Sequence, residues 1–141
     1  MRDIAYVALG SNLGDRAARL AEAREALAQL PGSRIVGESS IEETAPIGPV
    51  VQPDFLNQMI ALETTLAPRE LFERLVGIEQ AAGRTRDVRW GPRTLDLDIV
   101  RYANQTVNDP DLRVPHPELF NRDFWLRELA ELEAKKARGA A

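Results

Sequence analysis

The chain contains no cysteine, so neither a disulfide framework nor a thiolate metal site is open to it. It has no apolar run of 18 residues and no signal-peptide pattern, which leaves no candidate spanning helix. There is no internal repeat. Neither "GxxxxGK[ST]" nor "GxGxxG" occurs, so any phosphate must be held without a glycine cradle. Lysine is scarce: Lys135 and Lys136 stand against sixteen arginines. The net charge of −4 argues against nucleic-acid binding by bulk charge. The expectation is a soluble cytoplasmic protein with no membrane or nucleic-acid partner. With 141 residues, 44% of them hydrophobic, one domain over 1–141 with one core is expected, its last residues frayed.

Turn and breaker residues divide the chain. Residues 3–9, "DIAYVAL", read as a strand ending at Gly10. From Asp15 to Leu30, Leu20, Ala23, Leu27 and Leu30 recur at helical spacing, and Pro31–Gly32 stop the helix. Residues 34–43 read as a second strand. A loop with three prolines, "TAPIGPVVQPD", follows, then a third strand at 55–66. Pro68 opens a second helix where its missing N–H costs little. Leu71, Leu75 and Ile78 give that helix a core face, and Gly83 caps it. An Arg-rich loop spans 84–93 and a fourth strand 94–102. The order β-α-β-β-α-β predicts an α+β, ferredoxin-like antiparallel sheet with helices on one face. A turn at Asn104–Gln105 and a helix from about Asp123, docked by Leu126, Leu129 and Leu132, make a short C-terminal hairpin and helix extension.

The unusual stretch is 89–100, "RWGPRTLDLDIV". On a strand, Asp96 and Asp98 share one face about 6–7 Å apart, from a rise of ~3.3 Å per residue. Leu95, Leu97 and Ile99 then face the helices. On a helix the two carboxylates would splay ~200° apart. Two adjacent carboxylates can salt-bridge to nearby arginines on an exposed face. They can also hold Mg²⁺, which takes one or two carboxylates and completes its octahedron with water and phosphate oxygens. Two such ions about 3.5–4 Å apart can clamp a phosphoryl group. Arg84, Arg86, Arg89 and Arg93 fall within ten residues just before the pair, and Arg suits bidentate phosphate contacts. Pair and cluster together favour a phosphoryl- or nucleotidyl-transferring enzyme. The competing reading is a small-molecule-binding regulatory module whose charges are simply solvated. A Gly-Ser nucleotidyltransferase, suggested by "GSN" at 10–12, is set aside because the Asp pair lies far downstream of Ser11.

Five segments carry a resemblance. They are "ALGSNLGD" (8–15), "TAPIGPVVQPDFLNQMIALET" (44–64), "IEQAAGRTR" (78–86), "RWGPRTLDLDIV" (89–100) and "VPHPELFNRDF" (114–124). In this order they resemble the 6-hydroxymethyl-7,8-dihydropterin pyrophosphokinases of folate synthesis, whose fold is the α+β sheet derived above. The resemblance implies transfer of the terminal diphosphate of ATP to the pterin hydroxymethyl oxygen, leaving AMP. It makes Asp96 and Asp98 ligands of two Mg²⁺ ions, with Asp96 also a proton acceptor that touches the pterin. Arg84 and Arg93 match catalytic arginines that grip the triphosphate. Arg86, Arg89 and Trp90 match a mobile ATP-binding loop, and His116 and Arg122 match nucleotide-contacting positions. Ile99 would meet adenine through its backbone. Phe55 and Phe124 match the aromatic walls of the pterin pocket, which Asn57, Thr44, Ala45 and Ile47 complete. Asn12 is read as a turn residue that ties loops together, and Glu79 as either a support of the site or a solvated side chain. A monomer is expected, with a dimer the alternative. After Phe124 the family continues with a Leu-Pro-rich segment, where this chain has "WLRELAELEAKKARGAA".

Overall fold

The computed structural model describes residues 2–46, 48–83 and 94–139. The elements are β1 (Asp3–Ser11), α1 (Arg16–Ala28), β2 (Ser33–Glu38), β3 (Glu42–Thr44), β4 (Phe55–Thr64), α2 (Pro68–Ala81), β5 (Asp96–Tyr102), β6 (Val107–Asn108), β7 (Arg113–Val114) and α3 (Asp123–Gly139). The main sheet runs β2-β4-β1-β5, with β3 beside β2 on the same edge of β4. All pairings in it are antiparallel. This is the expected ferredoxin-like α+β fold, and it leaves β5 as an outer strand.

Local chemistry explains the helices. Asp15 caps α1 by accepting the Ala18 N–H at 3.0 Å, and Leu20, Ala23 and Leu27 are its buried stripe. Gly32, at φ +60°, turns the chain where a Cβ would lie 2.1 Å from Thr65 Oγ1. Pro68 starts α2, and Glu70 accepts the Ala67 N–H at 3.0 Å. Gly83, at φ +81°, ends that helix.

The sheet separates two cores. On one face Val7, Leu9, Ile60, Leu62, Leu97 and Ile99 pack against Leu20 and Leu27 of α1 and Leu71 and Leu75 of α2. Each fully buried side chain of this kind contributes roughly 1.5–3 kcal/mol. On the other face Tyr6, Ala8, Met59, Ala61 and Val100 receive Trp125, Leu129 and Leu132 of α3.

Three local expectations are corrected. The strand expected at 34–43 is two strands, because Ser39 interrupts the ladder. Its Oγ accepts the Met59 N–H at 2.8 Å, and Glu38 pairs with Ile60 while Glu42 pairs with Asn57. Between those pairs three residues, 39–41, answer two on β4, 58 and 59, which is a one-residue bulge. Leu126 is 37% exposed; Trp125 takes its place in the stripe because 125, 129 and 132 share one helical face. The turn is centred on Ala103–Asn104, with Gln105 N–H on Tyr102 O at 2.9 Å and Ala103 at φ 45°.

Candidate active site

Asp96 and Asp98 open β5 on the face that α3 covers, and both are half-buried. Leu95, Leu97 and Ile99 are buried on the opposite face, as the alternation requires. Register extends the site across the sheet. Gly10 of β1 pairs with Asp96 on one side and Asn57 on the other, and Asn57 pairs onward with Glu42. A Cβ at position 10 would lie 3.3 Å from Asn57 Oδ1 and 3.5 Å from Phe55 Cδ1. Glycine therefore leaves an opening in the row between the aspartate and the amide.

Around that opening, Asn57 is buried and donates from Nδ2 to Thr44 Oγ1 at 2.5 Å. Half-buried Phe55 pairs with Thr44 across β3 and β4, and exposed Ala45 follows. Phe124, in the first turn of α3, lies on the same face with its ring 6.2 Å from that of Trp125. Asn12 is buried and donates to Gln52 Oε1 at 2.8 Å and Pro53 O at 2.9 Å. It ties the proline-containing loop to the end of β1, the role expected of it.

A cavity of about 320 Å³ opens at the free edge of β5, within the range of small-molecule sites. Phe72, Leu97, Ile99 and Leu112 supply apolar lining, and Asp98, Arg113 and His116 supply polar groups. Because β5 is an outer strand, side chains from both of its faces reach this space. His116 accepts the Glu118 N–H at Nδ1, 3.0 Å away, so the ring proton sits on Nε2. Nε2 is 3.7 Å from Asp98 Oδ1. Burial and then the charge of Arg122 push the imidazole down to about 4, against a smaller upward push from Glu118. The ring is neutral at pH 7, so this approach is a polar contact and not an ion pair. Trp125 holds the ring edge-on at 4.9 Å between centroids. The Arg122 guanidinium lies 4.3 Å over the Trp125 ring, and its buried Nε has no hydrogen-bond acceptor among the described residues. A cation stacked this way beside the cavity suits an anionic ligand.

Among the described residues no group of three or more metal-ligating side chains occurs. Two half-buried carboxylates on one face are nonetheless a fitting donor set for Mg²⁺, which draws its other oxygens from water and phosphate. Arg84, Arg86, Arg89, Trp90, Arg93 and Ile47 lie outside the described residues. Glu79, left open by the sequence, is 6% exposed, and its Oε2 accepts the Leu97 N–H at 2.7 Å. It supports the strand between the two aspartates.

The sequence reading did not single out Phe72, Leu112 or Arg113. Phe72 sits beside the Leu71 stripe of α2, where a helix borders its neighbour and not the core centre. Arg69 was missed as well. It bonds Asp109 at 2.7 Å and Asp111 at 3.0 Å, and lies 5.5 Å from the Phe72 ring centroid. Arg69 and its two partners lie 40 and 42 residues apart in the chain, so no local pattern marks the network.

A ferredoxin-like sheet with a carboxylate pair on its outer strand, a neutral imidazole beside it and a cavity at that edge can serve an enzyme of phosphoryl transfer. Comparison with known proteins narrows the class. The 7,8-dihydro-6-hydroxymethylpterin-pyrophosphokinase (HPPK) family matches residues 6–134. The Bacillus subtilis 2-amino-4-hydroxy-6-hydroxymethyldihydropteridine pyrophosphokinase is 46% identical over 132 residues, covering 94% of this chain and 79% of that protein. The Pseudomonas aeruginosa protein of the same name is 46% identical over 127 residues, 90% of this chain and 78% of its own. The Haemophilus influenzae protein, also so named, is 42% identical over 128 residues, 91% of this chain and 80% of its own. The chain belongs to the HPPK family. It is a pyrophosphokinase, a transferase that uses ATP and acts on a hydroxymethyldihydropterin in folate synthesis.

Proposed function

We propose that this chain transfers diphosphate from ATP to 6-hydroxymethyl-7,8-dihydropterin with Asp96 and Asp98 as the ligands of two Mg²⁺ ions. Bound there, the ions would offset phosphate charge and acidify the attacking hydroxyl. The hydroxymethyl oxygen attacks the β-phosphorus as the bond from that phosphorus to the α–β bridging oxygen breaks. AMP departs with the electron pair, and Asp96 accepts the hydroxyl proton. Asn57 and Thr44 present amide and hydroxyl groups to the pterin edge, between the Phe55 and Phe124 rings, with Ala45 and Ile47 closing the pocket. Ile99 presents backbone to adenine, and His116 and Arg122 meet the nucleotide as a neutral donor and a stacked cation. Arg84 and Arg93 grip the charge that develops on the phosphates, assisted by Arg86, Arg89 and Trp90.

The observation that carries this reading is the shared position of Asp98 and His116 at the mouth of the β5-edge cavity, with Asp96 one step along the same face. The chain acts as one domain and a monomer in the cytoplasm, on small molecules and without nucleic acid. Among the described residues no helix is long and apolar enough to cross a membrane. The test is to supply ATP, Mg²⁺ and the pterin and identify the nucleotide product. AMP with pterin diphosphate is expected; ADP with a pterin monophosphate would overturn the diphosphate step. Asp96→Asn and Asp98→Asn should each keep the fold and lower kcat by about a thousandfold or more, as expected when metal-held phosphate is lost. Near-native turnover in both variants would remove the metal role.

A further inference from the structure

Glu128 is 1% exposed, in the middle of α3, and both of its carboxylate oxygens are sealed from water, with no N–H or O–H donor aimed at them among the described residues. Glu42 Oε2, on β3, is in the same condition. The two carboxyl groups face each other. Carboxylates only accept hydrogen bonds, so a bond between them requires one proton held in common. The rest of the interface is well paired. Glu42 Oε1 accepts Arg127 Nε–H at 3.1 Å, and Glu131 accepts the Ser40 N–H at 3.0 Å and pairs with Lys135 at 2.9 Å. Residues 127, 128 and 131 of α3 thus clasp the 39–42 bulge at the edge of the sheet.

This clasp adjoins the pterin pocket proposed above. Glu42 pairs with Asn57, and Thr44, two residues on, takes the Asn57 amide. Phe124 lies one helical turn before Glu128, on the same side of α3. We propose that Glu128 is a positioning residue for that pocket: carrying a proton, it donates to Glu42 Oε2 and fixes α3, with the Phe124 ring, against the strands that carry Thr44 and Asn57. The inference rests on the pocket reading and goes beyond it by naming what sets the distance between its walls. Losing the proton would leave the sealed oxygens of two facing carboxylates against each other, where like charges repel and neither facing oxygen meets water.

The surroundings keep the proton in place. Burial first, and then the hydrogen bond and charge of Glu42, push Glu128 up to about 9; Glu131 acts in the same direction and Arg127 against it. From the sheet beneath, Met59 and Ala61 are apolar and Asn57 is neutral, and Glu38 of β2 pairs with Arg24 of α1 at 3.9 Å. At the start of α3, Arg122 stacks on Trp125, and Glu118 acts on His116.

The test is the KM for 6-hydroxymethyl-7,8-dihydropterin between pH 7 and 10, at saturating ATP and Mg²⁺, for the native enzyme, Glu128→Gln, Glu128→Ala and Phe124→Ala. A pocket competent only in the protonated form loses apparent affinity in proportion to the protonated fraction, about tenfold by pH 10. The native KM should rise by that factor relative to Glu128→Gln, which keeps a donor to Glu42 at every pH. Glu128→Ala should show a raised pterin KM already at pH 7, with the KM for ATP unchanged. Superimposable native and Glu128→Gln profiles would overturn the inference. If Phe124→Ala still raises the pterin KM in that case, the pocket reading survives. If Phe124→Ala also leaves it unchanged, the pocket reading has failed too.

Discussion

The Glu79 carboxylate on α2 accepts the Leu97 N–H at 2.7 Å, so a helix side chain completes the outer edge of the strand at the residue between Asp96 and Asp98. An outer strand leaves backbone donors unpaired by any further strand. Here a buried acceptor meets one of them, and a hydrogen bond to a charged group of this kind contributes about 1.5–3 kcal/mol. It also couples α2 to the orientation of both aspartates.

Glu79→Ala should therefore lower kcat by about 10- to 100-fold with Asp96 and Asp98 intact, while Glu79→Gln, which keeps a carbonyl acceptor, should retain most of it. Steady-state kinetics beside thermal melts measures this. A Glu79→Ala enzyme that melts earlier but turns over at the native rate would reduce the bond to a structural role.

The β5-edge cavity makes a second prediction. Phe72 lines it from α2, under the Arg69 guanidinium. Phe72→Ala should raise the KM for ATP about tenfold, the worth of one aromatic contact with a base. The KM for the pterin should hold, because Phe72 lies on the opposite face of the sheet from Phe55 and Phe124. A rise in the pterin KM alone would assign the cavity to the other substrate.

Stability should depend on pH through Glu128. Its folded-state value is raised to about 9 from an ordinary 4.5, so between those values the folded protein holds a proton that the unfolded chain has released. The unfolded state then binds fewer protons, and stability falls as pH rises through that window. Below about 4.5 both states are protonated and the group adds no pH dependence. Glu128→Gln removes the effect. Denaturant melts should find it more stable than the native protein by on the order of 2 kcal/mol at pH 8, with the difference shrinking toward pH 5. Parallel pH curves for the two proteins would show that Glu128 does not titrate this way.

Much was determined by sequence alone. The alternation Leu95–Asp96–Leu97–Asp98–Ile99 places two carboxylates on one face and three apolar side chains on the other, because a strand has period two whatever surrounds it. Pro31–Gly32, Pro68 and Gly83 bound the helices because their backbone restrictions are local. Other features were decided only by tertiary structure. The break at Ser39 depends on a side-chain bond to Met59 of another strand. Trp125 and not Leu126 faces the sheet because the docking angle of α3 selects among neighbouring apolar positions. Phe72 became a cavity wall through the approach of the 110–113 segment, which lies far along the chain. The pairing of Glu42 with Glu128 shows the difference most plainly. Each is an ordinary acid in its own segment, and only the fold brings them face to face in a dry interface, because contact and desolvation are properties of the packed chain.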